Sequence, residues 1–182
     1  MELELLKYPI GKFQKPERIT LETVGRWIDE IEHLPHQLRK VVQDLKEEQL
    51  NTAYRPGGWT IRQVVHHLPD SHINSYIRFR WTLTEEKPKI KAYFEEKWAE
   101  LDDAKNGNIE ISLILLEAVH IRWSLLLRSL KVEELHRSFI HPDSGSEVRL
   151  DENIGIYAWH GKHHLAHIEN CLISMEKEDN KK

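Results

Sequence analysis

Tyr157-Ala158-Trp159-His160-Gly161-Lys162-His163-His164-Leu165-Ala166-His167-Ile168 is the stretch on which the reading of this chain turns. It puts four of the twelve histidines into little more than two turns of a helix. The apolar residues Ile154, Tyr157, Ala158, Leu165, Ile168 and Leu172 recur at helical intervals and define an inward direction. At about 100° per residue, His164 lies roughly 55° from that direction and His160 roughly 95°, on one inner flank. His163 points about 155° away, toward solvent, and His167 is intermediate. Gly161 falls on the inward line. A glycine there costs about 1 kcal/mol of helix propensity against alanine, and it makes sense where another helix or a ligand comes close.

His160 and His164 stand one turn apart on one face, a spacing at which two imidazoles can hold one divalent metal. A lone pair of this kind is a weak signal, and it needs a third ligand. Gly161 occupies the position where an HExxH protease carries its glutamate, which argues against a metalloprotease of that type.

Working outward, the same periodicity predicts three more helical blocks. Thr20 caps a helix through Leu21, Val24, Trp27, Ile28 and Ile31, and Pro35 should kink it or start a new segment before Leu38, Val41, Val42 and Leu45. Thr60 and Gln63 form a capping box for a second helix reaching about Glu85, with a bend expected at Pro69 just after His66-His67. Asn106-Gly107-Asn108 opens a third, Ile109 to about Leu130, apolar on most sides. Residues 87–108 read as an ordered connection, long enough to cover something. The only hint of strand is Glu147 to Leu150. Asp151 should cap the last helix, residues 1–16 form an arm over the body, and Glu176 to Lys182 form a solvated tail. One all-α domain follows, a four-helix bundle whose two long connections argue against simple up-down-up-down order.

Pattern leaves the other histidines partly open. His66 and His67 flank the apolar stripe of the second helix at similar angles, and either could meet His160 and His164. His72 falls near the centre of that stripe and reads as a core histidine with a hydrogen-bond partner. His120, deep in the third helix, could line the same cavity.

Composition bounds the function. At 182 residues with 40% hydrophobic and 31% charged residues, the chain fits one domain with a real core. A net charge of −4 without a basic stripe argues against nucleic acid as a partner. The first residues carry no long apolar run, so no signal peptide or membrane span is expected. The single Cys171 suits a reducing cytoplasm.

Several motifs carry a family likeness. Leu45–His72, containing Tyr54-Arg55-Pro56-Gly57-Gly58-Trp59-Thr60 and His66-His67-Leu68, resembles the second-helix motif of the DinB superfamily, and Tyr157–Ile168 resembles its last-helix motif. Tyr8-Pro9-Ile10-Gly11-Lys12-Phe13, Ala118-Val119-His120-Ile121-Arg122-Trp123 and His141-Pro142-Asp143-Ser144-Gly145 make it similar to the YfiT-like branch. The resemblance spans nearly the whole chain. It implies a four-helix bundle of unusual connectivity, often a homodimer, binding one divalent metal per chain through His67, His160 and His164. Pro69 departs from the alanine common in relatives.

Three neutral imidazoles would leave an open position, as in catalytic sites, and would suit zinc or nickel, though softness alone leaves iron and copper open. Asp70 and Glu169 lie near the ligands and are candidates for orienting one or acting as a base. The branch resemblance implies a metal-dependent hydrolase of a small-molecule substrate. Its alternative is an S-transferase using a low-molecular-weight thiol such as bacillithiol. A third reading, from another class, is a non-catalytic metal-binding stress-response protein.

Overall fold

The computed structural model describes residues 2–179. In chain order its elements are α1 Glu2–Lys7, α2 Leu21–Val42, α3 Glu47–Leu50, α4 Ile61–Thr84, α5 Glu95–Trp98, α6 Asp102–Asn106, α7 Ile109–Ser129, α8 Val132–Leu135, β1 Ser138–Ile140, β2 Glu147–Arg149 and α9 Leu150–Asp179. The four long helices, α2, α4, α7 and α9, form the bundle. α2 packs on α7 and α9, and α4 packs on the same two, so α2 and α4 take opposite corners.

Two apolar clusters fix the directions. One gathers Leu38 and Val42 from the end of α2, Ile61 and Val64 from the start of α4, Leu113 from the first half of α7, and Ile168 from the second half of α9. The other gathers Val24, Phe79, Trp123 and Ile154 from the opposite halves of the same helices. Thus α2 and α9 run one way and α4 and α7 the other. Parallel neighbours cannot be joined by a short turn. The chain therefore runs back along the bundle between α4 and α7, through α5 and α6.

The expected caps are present: Thr20 and Thr60 accept from the backbone N–H of Thr23 and Gln63 at 3.1 and 3.2 Å, and Asn108 accepts from Glu110 at 2.9 Å. Three expectations need correction. Pro35 starts no new segment, since α2 runs through it as one helix; α4 likewise runs through Pro69. Packing on both sides holds the helices together where a proline removes one ladder bond. α9 begins at Leu150, so Asp151 lies inside it; its carboxylate takes the Glu152 backbone N–H and the Arg149 guanidinium. The helix also runs on to Asp179 through the expected tail, of which residues 180–182 lie outside the described residues, as Met1 does for the arm. The strand at Glu147 pairs antiparallel with β1, a partner too short to read from pattern. Among the described residues, no helix is long and apolar enough to cross a membrane.

Candidate metal centre

Between the two apolar clusters the bundle carries a layer of imidazoles. His67 comes from α4, and His160 and His164 from α9, where consecutive turns put them on one face. One ligand-capable nitrogen from each ring lies within 4.8 Å of the other two, and Nε2 of His67 is 3.3 Å from Nε2 of His160. Trp59, just before the α4 cap, covers the group, with its ring 4.7 Å from His67 and parallel to His164. Gly161 lets α2 come close from the other side: a Cβ there would stand 2.5 Å from Cδ2 of Leu34.

The rings are neutral at physiological pH. Burial, then the neighbouring His163, lowers His67 to about 4. Burial, then neighbouring histidines, holds His160 and His164 well below the ordinary value. Neutral imidazoles keep a lone pair for a cation.

One ring is held by a chain of hydrogen bonds. Pro35 has no N–H, so the Ile31 carbonyl lacks its usual helical donor. It takes the Nδ1–H of His120 instead, at 2.5 Å. Because burial lowers His120 to about 4, that ring is neutral and its Nε2 bears a lone pair. Nδ1 of His72 lies 2.8 Å from that Nε2 and must donate. Nε2 of His72 then accepts from Nδ1 of His160 at 3.1 Å, which leaves the lone pair of His160 on Nε2, toward His67. His72 is thus the hydrogen-bonded core residue that its position in the stripe suggests.

The donor set fits a divalent cation. Two nitrogens at 2.0–2.1 Å from a tetrahedral zinc stand about 3.3–3.4 Å apart, and His67 and His160 show 3.3 Å. The third ring, His164, brings a neutral nitrogen to the same point and spends neither of its nitrogens on a hydrogen bond among the described residues.

Other histidines are committed elsewhere. His66 turns toward α7, where Nδ1 accepts from the Ser112 hydroxyl at 2.7 Å and Nε2–H donates to the Gly107 carbonyl. The choice that pattern left open is made by these contacts. His163 corrects the phase reading, for it is buried. Trp159 stacks on it and Tyr8 of the N-terminal arm covers it, with Trp159 donating to the Gly11 carbonyl at 3.1 Å. A helical phase calculation cannot see an arm folded over the helix from outside. His167 donates to the Lys7 carbonyl and stacks on Tyr54.

Neither sequence candidate for a carboxylate base faces the cluster. Glu169 is exposed. Asp70 is half-buried, raised to about 6 by burial and then by Asp103, but it lines neither cavity at His160. The carboxylates that do belong to the 87–108 connection. Glu95, Glu96 and Glu100 line a cavity of about 740 Å³ together with His67, His160, His164, Trp59 and Arg55. Glu95 and Glu96 also line a second cavity of about 540 Å³, which reaches His160 from the other side. Burial, then Glu96, raises Glu95. Only the length of the connection signalled these residues.

Fold and site together define a helical-bundle protein with a three-histidine centre of the kind that can hold a metal ion. The chain belongs to the DinB superfamily, whose family model matches residues 30–168. Proteins of Bacillus cereus strain G9842 and Bacillus anthracis strain A0248, provisionally named metal-dependent hydrolases, are each 56% identical over 163 residues, covering 90% of this chain and 93% of theirs. The solved structure of YfiT from Bacillus subtilis, provisionally described as a metal-dependent hydrolase with an unusual four-helix bundle topology, superposes with a TM-score of 0.93. It is 46% identical, over 94% of this chain and 98% of that one.

Proposed function

We propose that this protein is a hydrolase of a small molecule that works through a divalent cation, zinc or nickel, held by His67, His160 and His164. The observation carrying this reading is the meeting of three neutral imidazoles, His67 and His164 buried and His160 half-buried, two from one helix and one from another, around one point. A cation there supplies Lewis acidity, which favours the deprotonated form of a water or a thiol. Glu95, at the mouth shared by both cavities, is placed to accept the proton, and its partial desolvation raises its affinity for one. Trp59, Trp159 and Tyr8 shield the histidines and lower the local dielectric.

The test is metal analysis of the purified protein. About one ion per chain is expected, with a loss of at least tenfold in His164→Ala. Unchanged metal content in that variant would sink the ligand set.

A second reading rests on the two cavities that meet at His160, an arrangement suited to two substrates. In it the protein is an S-transferase joining a low-molecular-weight thiol such as bacillithiol to an electrophile. The choice is made by giving the metal-loaded protein bacillithiol with monochlorobimane, and separately a panel of esters and amides. Conjugation supports the transferase, and hydrolysis supports the first reading. Tight metal binding with neither activity supports a non-catalytic stress-response protein.

Two further features belong to the same reading. Ile111, Ile114, Ile121 and Leu125 leave an apolar stripe exposed along α7, which supports a homodimer. The one buried, unpaired Cys171 suits a reducing cytoplasm.

A further inference from the structure

α4 carries two buried arginines with opposite surroundings. Arg62, 4% exposed, is fully engaged, meeting Glu47, Asn51 and the Gly107 carbonyl. Arg78, 8% exposed, forms no ion pair among the described residues, and its Nε is buried with no hydrogen-bond partner. A guanidinium keeps its charge at every physiological pH, and removing it from water uncompensated costs several kcal/mol. A structural arginine would be paired, as Arg62 is.

Arg78 lines the cavity of about 540 Å³ that ends at His160. Tyr93 lines it too, its hydroxyl buried with only a loose approach to Ser71; burial, foremost, raises that phenol, so it stays a neutral O–H donor. One unmatched donor, Arg78, and one loosely held donor, Tyr93, therefore serve one space. The remaining wall is largely apolar, from Phe139, Val148, Ile156 and Tyr157. The carboxylates Glu95, Glu96 and Asp143 stand exposed at the rim, and none of them pairs with Arg78.

We infer that Arg78, assisted by Tyr93, anchors the anionic group of a small organic acid whose apolar body lies along this cavity and whose other end reaches His160. The inference names the substrate class for the site and rests on the reading of the three histidines as the reacting centre. Arg78 is eleven residues beyond His67 on α4, about 16 Å along the axis, and its side chain leans back toward the N-terminus. The acid must therefore be several bonds long, with its reactive group remote from its charge.

The probe is 3-phenylpropionate, titrated into the full chain after chelation of metal, with the Nε–Hε signal of Arg78 followed by NMR and affinity by calorimetry. Saturable binding that shifts this signal is expected, with at least tenfold weaker binding in Arg78→Met and in the neutral 3-phenylpropionamide. Arg78→Met should melt no lower than the parent, since it removes an unpaired buried charge. Undiminished binding in Arg78→Met, a Tm lowered by several degrees, or failure of that variant to fold would each overturn the inference. Using metal-free protein keeps the outcomes separate. The histidine reading stands or falls on metal content in His164→Ala, and the anchor on acid binding.

Discussion

His72 and His160 are joined ring to ring, Nε2 to Nδ1, at 3.1 Å, so a residue outside the metal-facing group decides which nitrogen of His160 faces His67. Hydrogen-bond partners behind a metal-binding histidine fix its tautomer and orientation, and losing one typically costs about 10–100-fold in metal affinity. His72→Phe should lose affinity on that scale, measured by competition with a chelating dye. His72→Gln should lose less, because its amide oxygen can still accept from Nδ1 of His160. Wild-type affinity in His72→Phe would mean that the chain from Ile31 through His120 has no bearing on the site.

Stability should fall in acid. Burial lowers His67 and His120 to about 4 in the folded protein, against about 6.5 in an unfolded chain. Between those values the unfolded state binds protons that the folded state refuses, so protonation favours unfolding. Stability is therefore greatest above pH 6.5, is lost as the pH falls toward 4, and then stops changing through these groups. At up to about 1.4 kcal/mol per pH unit for each ring, two rings contribute at most about 7 kcal/mol, comparable with the whole stability of a small domain. Urea midpoints of the metal-free protein at pH 8, 6 and 5 would show it. A flat profile would contradict the burial of these rings.

Gly161→Ala should destabilise the protein, because the new methyl group meets Leu34, itself buried in the core. Overpacking costs about 1–3 kcal/mol, offset by about 1 kcal/mol of better helix propensity. In a Leu34→Ala background the clash disappears and the sign should reverse, giving a clear coupling in a double-mutant cycle. Additive effects would mean that the two residues do not meet.

The exposed stripe of α7 predicts the behaviour of the assembly. If it joins two copies, Ile121→Glu with Leu125→Glu should convert a dimer into a monomer by sedimentation, because charges at its centre cannot be desolvated cheaply. A parent that already sediments as a monomer removes the homodimer from the reading.

Pairing within one helix could be read from spacing, because helical phase is a local property. Thr60 and Gln63 begin α4 through bonds made within a single turn, and His160 and His164 share a face because four residues make about one turn. Gly161 was legible for the same reason, though its neighbour Leu34 was not. What spacing left open was decided at long range. His66 and His67 are equivalent to phase; the family resemblance favours His67, and in the fold the contacts of His66 with Ser112 and Gly107 turn it away from His160.

The remaining features depend on chain segments with no periodicity. The arm that buries His163 and the connection that brings Glu95 to the cavities approach from outside the helices, so no pattern within α9 or α4 could announce them. Sequence alone determined the helices, their caps and two corners of the histidine group, through interactions spanning one turn. Residue pattern left the third corner to the family resemblance, and tertiary structure brought His67 there and decided the carboxylate at the mouth and the use of Pro35. Each of these joins residues far apart in the chain, where packing, not periodicity, sets the distance.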